Sequence, residues 1–220
     1  MIKAVLFDCD GLMFETEILS QQVWRDEADK AGVILPADFF NRITGSGKAE
    51  TDAYMHSIPG MDRLEEGMRG RRFDLSFWRS IHTDCLNKKG LIELFQYLQK
   101  ENYLIAVCSS SPAEYVKALI STVSVPLHYD AMVTGDQVSH AKPDPEIFLT
   151  GAKRLHVLPE ECLVLEDSKQ GIDAANRAGM RSCFIQDTII PDAEMKKMLD
   201  CRCISMLEVP NLLRILNNHQ

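Results

Sequence analysis

The chain has 220 residues, enough for one generous domain or two small ones and too few for a long repeat array. With 45% hydrophobic and 25% charged residues it can bury a core without disulfide or metal staples, which excludes disorder as its main theme. A formal charge of −8, from 24 Lys+Arg against 32 Asp+Glu, repels polyanions; it speaks against a nucleic acid or an anionic membrane as partner and leaves room for a small phosphorylated metabolite held by local donors and a divalent cation.

The first apolar run, residues 4–7, reads as a buried parallel strand and is far too short for a signal sequence or a membrane span, so a cytoplasmic chain is expected. From 14 to 88 the chain is charged and lacks any buried-strand run. It carries helical patterns over 17–31 and 62–86, with breaks at Gly32, Pro36, Gly45-Ser46-Gly47 and Pro59-Gly60. We expect an all-helical cap subdomain over 14–88, inserted into a catalytic core made of 1–13 and 89–220, with hinges near 13–15 and 87–90. Leu91, Leu94, Phe95 and Leu98 then trace the apolar stripe of a helix over 91–100. Strand-like runs follow at 104–108, 131–134, 162–165, 182–185 and, weakly, 202–204, with Pro112 and Pro145 opening helices to about 120 and 155. Strands alternating with helices predict an α/β fold with a Rossmann-like parallel sheet.

The seven cysteines (Cys9, Cys85, Cys108, Cys162, Cys183, Cys201 and Cys203) are odd in number and contain no C-x-x-C pair, so they read as buried thiols in a reducing compartment. The histidines have no metal-ligand spacing, which disfavours zinc.

The polar residues gather where the strands end. Asp8 and Asp10 follow the first run, Ser109-Ser110-Ser111 the second and Glu166-Asp167-Ser168 the fourth, while Lys142 lies in the loop after the third. In an open parallel sheet these ends face one crevice. Carboxylates crowded there raise each other's pKa unless a cation is bound, and a hard divalent ion such as Mg2+ suits oxygen donors beside a phosphate. In Asp8-Cys9-Asp10-Gly11 one carboxylate can attack phosphorus while the other, two residues on, moves protons. The serines offer hydroxyls and N–H groups to a phosphate at a helix N-terminus, although Ser111 before Pro112 can equally cap the helix. Lys142 can neutralise charge that develops in phosphoryl transfer.

Four segments in order, Leu6-Phe7-Asp8-Cys9-Asp10-Gly11-Leu12, Val107-Cys108-Ser109-Ser110-Ser111, 142–148 and 165–180, resemble the haloacid dehalogenase superfamily, in its phosphatase and β-phosphoglucomutase-like branch with a helical cap. The resemblance implies a phosphoaspartyl enzyme. Asp8 would be the nucleophile and Asp10 the acid and base; Ser109, the Ser110 amide and Lys142 would hold the phosphate; Asp8, the Asp10 carbonyl and Asp167 would bind Mg2+, with Glu166 a direct or water-mediated ligand. In the cap, Thr16 and the loop residues Gly45, Ser46 and Lys48 are implied substrate contacts, Lys48 being able to hold a second anionic group. Glu15-Thr16-Glu17 replaces a run that opens with Asp in many relatives, which leaves Glu15 without an implied role. A mutase of this branch is expected to carry histidine near Ser20.

The leading expectation is therefore a Mg2+-dependent phosphatase of a small phosphate monoester such as a sugar or polyol phosphate, acting as a monomer. A β-phosphoglucomutase-like mutase is the alternative. Haloacid dehalogenation is disfavoured by Asp10, and a non-enzymatic phospho-Asp signalling module by the large insertion and the early position of Asp8.

Overall fold

The computed structural model describes residues 1–43, 48–71, 86–187 and 190–218. The apolar runs form a parallel sheet of β1 (Ala4–Phe7), β2 (Leu104–Ser109), β3 (Ala131–Thr134), β4 (Cys162–Glu166), β5 (Arg181–Ile185) and β6 (Cys201–Cys203). Their spatial order is β3-β2-β1-β4-β5-β6, and every pairing is parallel. The chain winds outward from β1 in both directions, so the carboxyl end of β1 is the switch point at which an open α/β sheet forms its crevice.

Helices cover both faces of the sheet, which is why its central strands read as continuous apolar runs. Within β1 the side chains alternate: Val5 and Phe7 enter one core cluster, Ala4 and Leu6 the other. Register does the rest. Phe7 pairs with Val107 on one side and Leu165 on the other, so Asp8, Cys108 and Glu166 follow at the same level. β2 and β4 each run one residue past their last apolar side chain, because the backbone ladder continues into Ser109 and Glu166.

Between β1 and β2 lie α1 (Thr16–Ala31), α2 (Phe39–Ile43), α3 (Lys48–His56) and α4 (Met61–Arg71). They share a separate apolar cluster built around Phe39, Met61 and Leu64. The helical pattern expected over 62–86 is borne by α4 as far as Arg71, and 72–85 lie outside the described residues. The two chain segments joining this helical unit to the sheet run side by side: Glu15 N–H donates to Leu86 O at 2.7 Å, and Lys88 N–H to Met13 O at 2.9 Å. They contain the positions, 13–15 and 87–90, at which hinges are expected.

On the sheet, α5 (Leu91–Lys100), α6 (Ala113–Ile120) and α10 (Val209–Asn218) pack with the Val5 and Phe7 cluster, and α7 (Glu146–Leu155) and α8 (Lys169–Arg177) with the Ala4 and Leu6 cluster. The short α9 (Ala193–Met198) places Met195 beside Phe184 and Ile172. Pro112 and Pro145 stand at the N-caps of α6 and α7, one position before the first turn expected for them. The described cysteines are free thiols, and Cys85 lies outside the described residues. No helix among the described residues is long and apolar enough to cross a membrane.

Candidate active site

The site begins where β1 ends. Asp8 N–H donates to Leu165 O at 3.1 Å, extending the β1–β4 pairing by one residue before the chain turns. Gly11 makes the turn with φ +78, and a Cβ there would stand 2.3 Å from Asp167 Oδ2. Both the left-handed backbone and the lack of space therefore require glycine. Gly11 N–H donates to Phe14 O at 3.0 Å and to Thr16 Oγ1 at 3.1 Å. Thr16, expected as a substrate contact, is buried and its hydroxyl braces this turn. Of the expected loop contacts, Gly45 and Ser46 lie outside the described residues, and Lys48 is the first residue of α3.

Lys142 ties the strand ends together. Its ammonium donates to Asp8 Oδ1, to Glu166 Oε1 at 2.6 Å and to Cys108 O at 3.3 Å. Burial opposes its charge, but Asp8 and Glu166 outweigh that and hold its pKa above the ordinary lysine range. Glu166 is almost fully enclosed: Oε2 accepts from Asp167 N–H and Ser168 N–H at 3.0 Å each and from Ser168 Oγ at 2.9 Å. Ser168 in turn caps α8, its hydroxyl accepting from Gly171 N–H at 3.0 Å. A buried carboxylate is tolerated when its lone pairs are filled in this way.

Asp8 and Asp167 are less well compensated. Burial, opposed by Lys142 and aided by Glu166 and Asp10, pushes the Asp8 pKa up to about 8. Burial together with Glu166, Asp8 and Asp187 pushes Asp167 well above the usual carboxylate range. Asp8, Glu166 and Asp167 each present an oxygen, all within 4.8 Å of one another. This hard-oxygen set, with a single lysine among three buried acids, fits a divalent cation of the Mg2+ kind, which would offset the charge that burial leaves unbalanced.

Asp10 faces the end of β2. Ser111 Oγ donates to Oδ2 at 2.7 Å and Tyr115 OH to Oδ1 at 2.9 Å, while Ser109 Oγ lies 3.5 Å from Oδ2 and accepts from Ser111 N–H at 3.0 Å. Ser111 thus serves Asp10 and does not cap α6, whose first N–H, on Ala113, donates to Asp136 Oδ1 at 3.1 Å. Ser109 is buried and Ser110 exposed at the crevice edge. Tyr115 escaped sequence reasoning because it belongs to the apolar stripe of α6. The available signal was chemical: a buried tyrosine hydroxyl needs a partner. Glu15 also acquires a place, accepting from Lys88 Nζ at 3.1 Å.

A profile of the haloacid dehalogenase-like hydrolases matches residues 5–185. The chain belongs to this family. This haloacid dehalogenase-like hydrolase is 28% identical over 217 residues to a phosphorylated carbohydrates phosphatase of Thermotoga maritima, covering 98% of each chain. It is 28% identical over 185 residues to the β-phosphoglucomutase of Bacillus subtilis, covering 81% of each. The crystal structure of β-phosphoglucomutase from Clostridium difficile shares the fold with a TM-score of 0.74 at 24% identity, over 100% of this chain and 99% of that one. The family, with a phosphatase similar over nearly the whole chain, makes this hydrolase a phosphoric monoester hydrolase.

Proposed function

We propose that this hydrolase is a Mg2+-dependent phosphatase of a small phosphorylated metabolite, a sugar or polyol phosphate, working through a phosphoaspartate on Asp8. The carrying observation is the convergence of Asp8, Lys142, Glu166 and Asp167 with Asp10, Ser109 and Ser111 at one strand edge. The carbohydrate phosphatase of T. maritima, similar over nearly the whole chain, supports the substrate class.

Asp8 attacks phosphorus, and the bond to the leaving oxygen breaks as Asp10 delivers a proton to that oxygen. Asp10, now a carboxylate, takes a proton from the water that attacks the phosphoaspartate; inorganic phosphate leaves and Asp8 is restored. Ser111 and Tyr115 hold the Asp10 carboxylate through both steps, since hydroxyls can donate to the ionised acid and accept from the protonated one. Ser109, the Ser110 amide and Lys142 hold the transferring phosphoryl oxygens. Asp8, the Asp10 carbonyl and Asp167 would hold Mg2+, with Glu166 beside them; when bound, the cation supplies charge neutralisation between nucleophile and phosphate. The cap expected over 14–88 would exclude water, and Gly45, Ser46 and Lys48 would read the rest of the substrate.

The test is phosphate release from p-nitrophenyl phosphate and a panel of sugar and polyol phosphates, with Mg2+ or with chelator. Turnover that needs Mg2+ and vanishes in Asp8→Asn is expected; release equal in chelator would refute the reading. The similarity to the B. subtilis β-phosphoglucomutase favours one second reading, isomerisation of a sugar 1-phosphate. A requirement for a sugar 1,6-bisphosphate would identify it.

A further inference from the structure

Asp187 follows β5, lies beside Asp167, and has no part in the chemistry just described. Its side chain is only 5% exposed. Oδ1 accepts from Lys88 Nζ, the same ammonium that serves Glu15. Oδ2 is buried and has no hydrogen-bond partner among the described residues. Leaving a buried acceptor without a donor costs about 1–3 kcal/mol, and more for a charged group. Lys88 is already engaged at Oδ1, so the missing donor must come from elsewhere.

The direction of Oδ2 shows from where. The position a Cβ on Gly11 would take is 3.2 Å from Asp187 Oδ2 and 2.3 Å from Asp167 Oδ2. The two oxygens therefore approach each other across the bare Gly11 α-carbon, within the span that one bridging water covers. Asp187 stands outside the set of three carboxylates whose oxygens lie within 4.8 Å of one another, which makes it a second layer and not a direct ligand.

We propose that Asp187 is an outer carboxylate of the divalent-cation site: Oδ2 accepts a hydrogen bond from a water on the cation held by Asp8 and Asp167, while Lys88 fixes Oδ1. The inference rests on the cation site proposed above. Outer groups of this kind orient the inner shell, and their loss typically costs about 10- to 100-fold in metal affinity.

Mg2+ binding to the intact, substrate-free protein, measured by titration calorimetry, separates the possibilities. Wild type is expected to bind one Mg2+, Asp167→Asn to lose binding, and Asp187→Asn to weaken it about 10-fold or more. Glu15→Gln removes a charge from the same Lys88 network at a side chain that is 34% exposed and outside the carboxylate cluster, and is expected to stay within about 2-fold of wild type, since a screened, partly exposed charge acts weakly. Circular dichroism checks folding, and Asp187→Ser stands in should the asparagine variant fail to fold. Wild-type affinity in the Asp187 variants, or an equal loss in Glu15→Gln, would overturn the inference while leaving the cation site intact. Absence of Mg2+ binding by the wild type would overturn the cation site itself.

Discussion

Replacing Gly171 by alanine is a small change with a large expected effect. Alanine inside a helix normally gains up to about 1 kcal/mol over glycine. Gly171 lies in the first turn of α8, and a Cβ there would stand 1.7 Å from Glu166 Oε1 and 2.4 Å from Oε2. The carboxylate must move, yet it is held by Lys142, Asp167 N–H, Ser168 N–H and Ser168 Oγ. Losing two of these charge-assisted bonds costs about 1.5–3 kcal/mol each. After the gain in helix propensity, the net loss is about 2–5 kcal/mol. For a chain of this size that lowers Tm by roughly 10 °C. Activity should fall as well, because Lys142 loses one of the two carboxylates that aim it. Thermal unfolding by circular dichroism and kcat for phosphate release read both effects. Gly179→Ala is the control: its φ is +71 with nothing within 4 Å of the added Cβ, so only backbone strain of about 1 kcal/mol applies and turnover stays unchanged. A Gly171→Ala protein as stable and as active as wild type would refute the packing of Glu166 against α8.

Lys142→Ala leaves Asp8 and Glu166 buried without their ammonium; we expect a loss of about 3–5 kcal/mol at neutral pH in chemical denaturation, and a fall in phosphate release of at least about 100-fold. Asp8, raised from 3.8 to about 8, holds a proton in the folded state that the unfolded chain gives up. Its contribution is thus fully present below 3.8 and lost as pH rises through about 8, so the Tm of metal-free protein declines across that window and Asp8→Asn flattens the decline. Equal slopes in the two proteins would contradict the assignment. Tyr115→Phe removes one hydrogen bond to Asp10, worth about 1 kcal/mol. We expect kcat to drop about 5- to 10-fold with KM within about 2-fold, because the hydroxyl positions Asp10 and does not touch substrate; a change confined to KM would refute that role.

The parts of the fold that hydrophobicity determines were legible. Fully buried parallel strands must be apolar on both faces, so 4–7, 104–108 and 162–165 stood out, and the acids and serines that end them marked the crevice. What escaped depends on tertiary contacts that carry no local pattern. Lys88 and Asp187 are 99 residues apart, and neither stands in a motif. Tyr115 reads as core from its helical spacing, and only the hydroxyl at its far end reaches Asp10. Thr16 entered only as a cap contact implied by the resemblance, and the hydrogen bond its hydroxyl accepts from Gly11 N–H has no local pattern in the sequence. Ser111 had two roles open, capping or phosphate binding, and its hydrogen bond to Asp10 adds a third that only the close approach of β1 and β2 allows.

The most direct test of phosphoryl transfer through Asp8 is acid quenching of a single turnover with 32P-labelled sugar phosphate and Mg2+. The account predicts protein-bound label that is stable in acid, released by alkali, carried by the peptide containing Asp8 and absent from Asp8→Asn. Rapid phosphate release without any such label, and with Asp8→Asn as active as wild type, would contradict it.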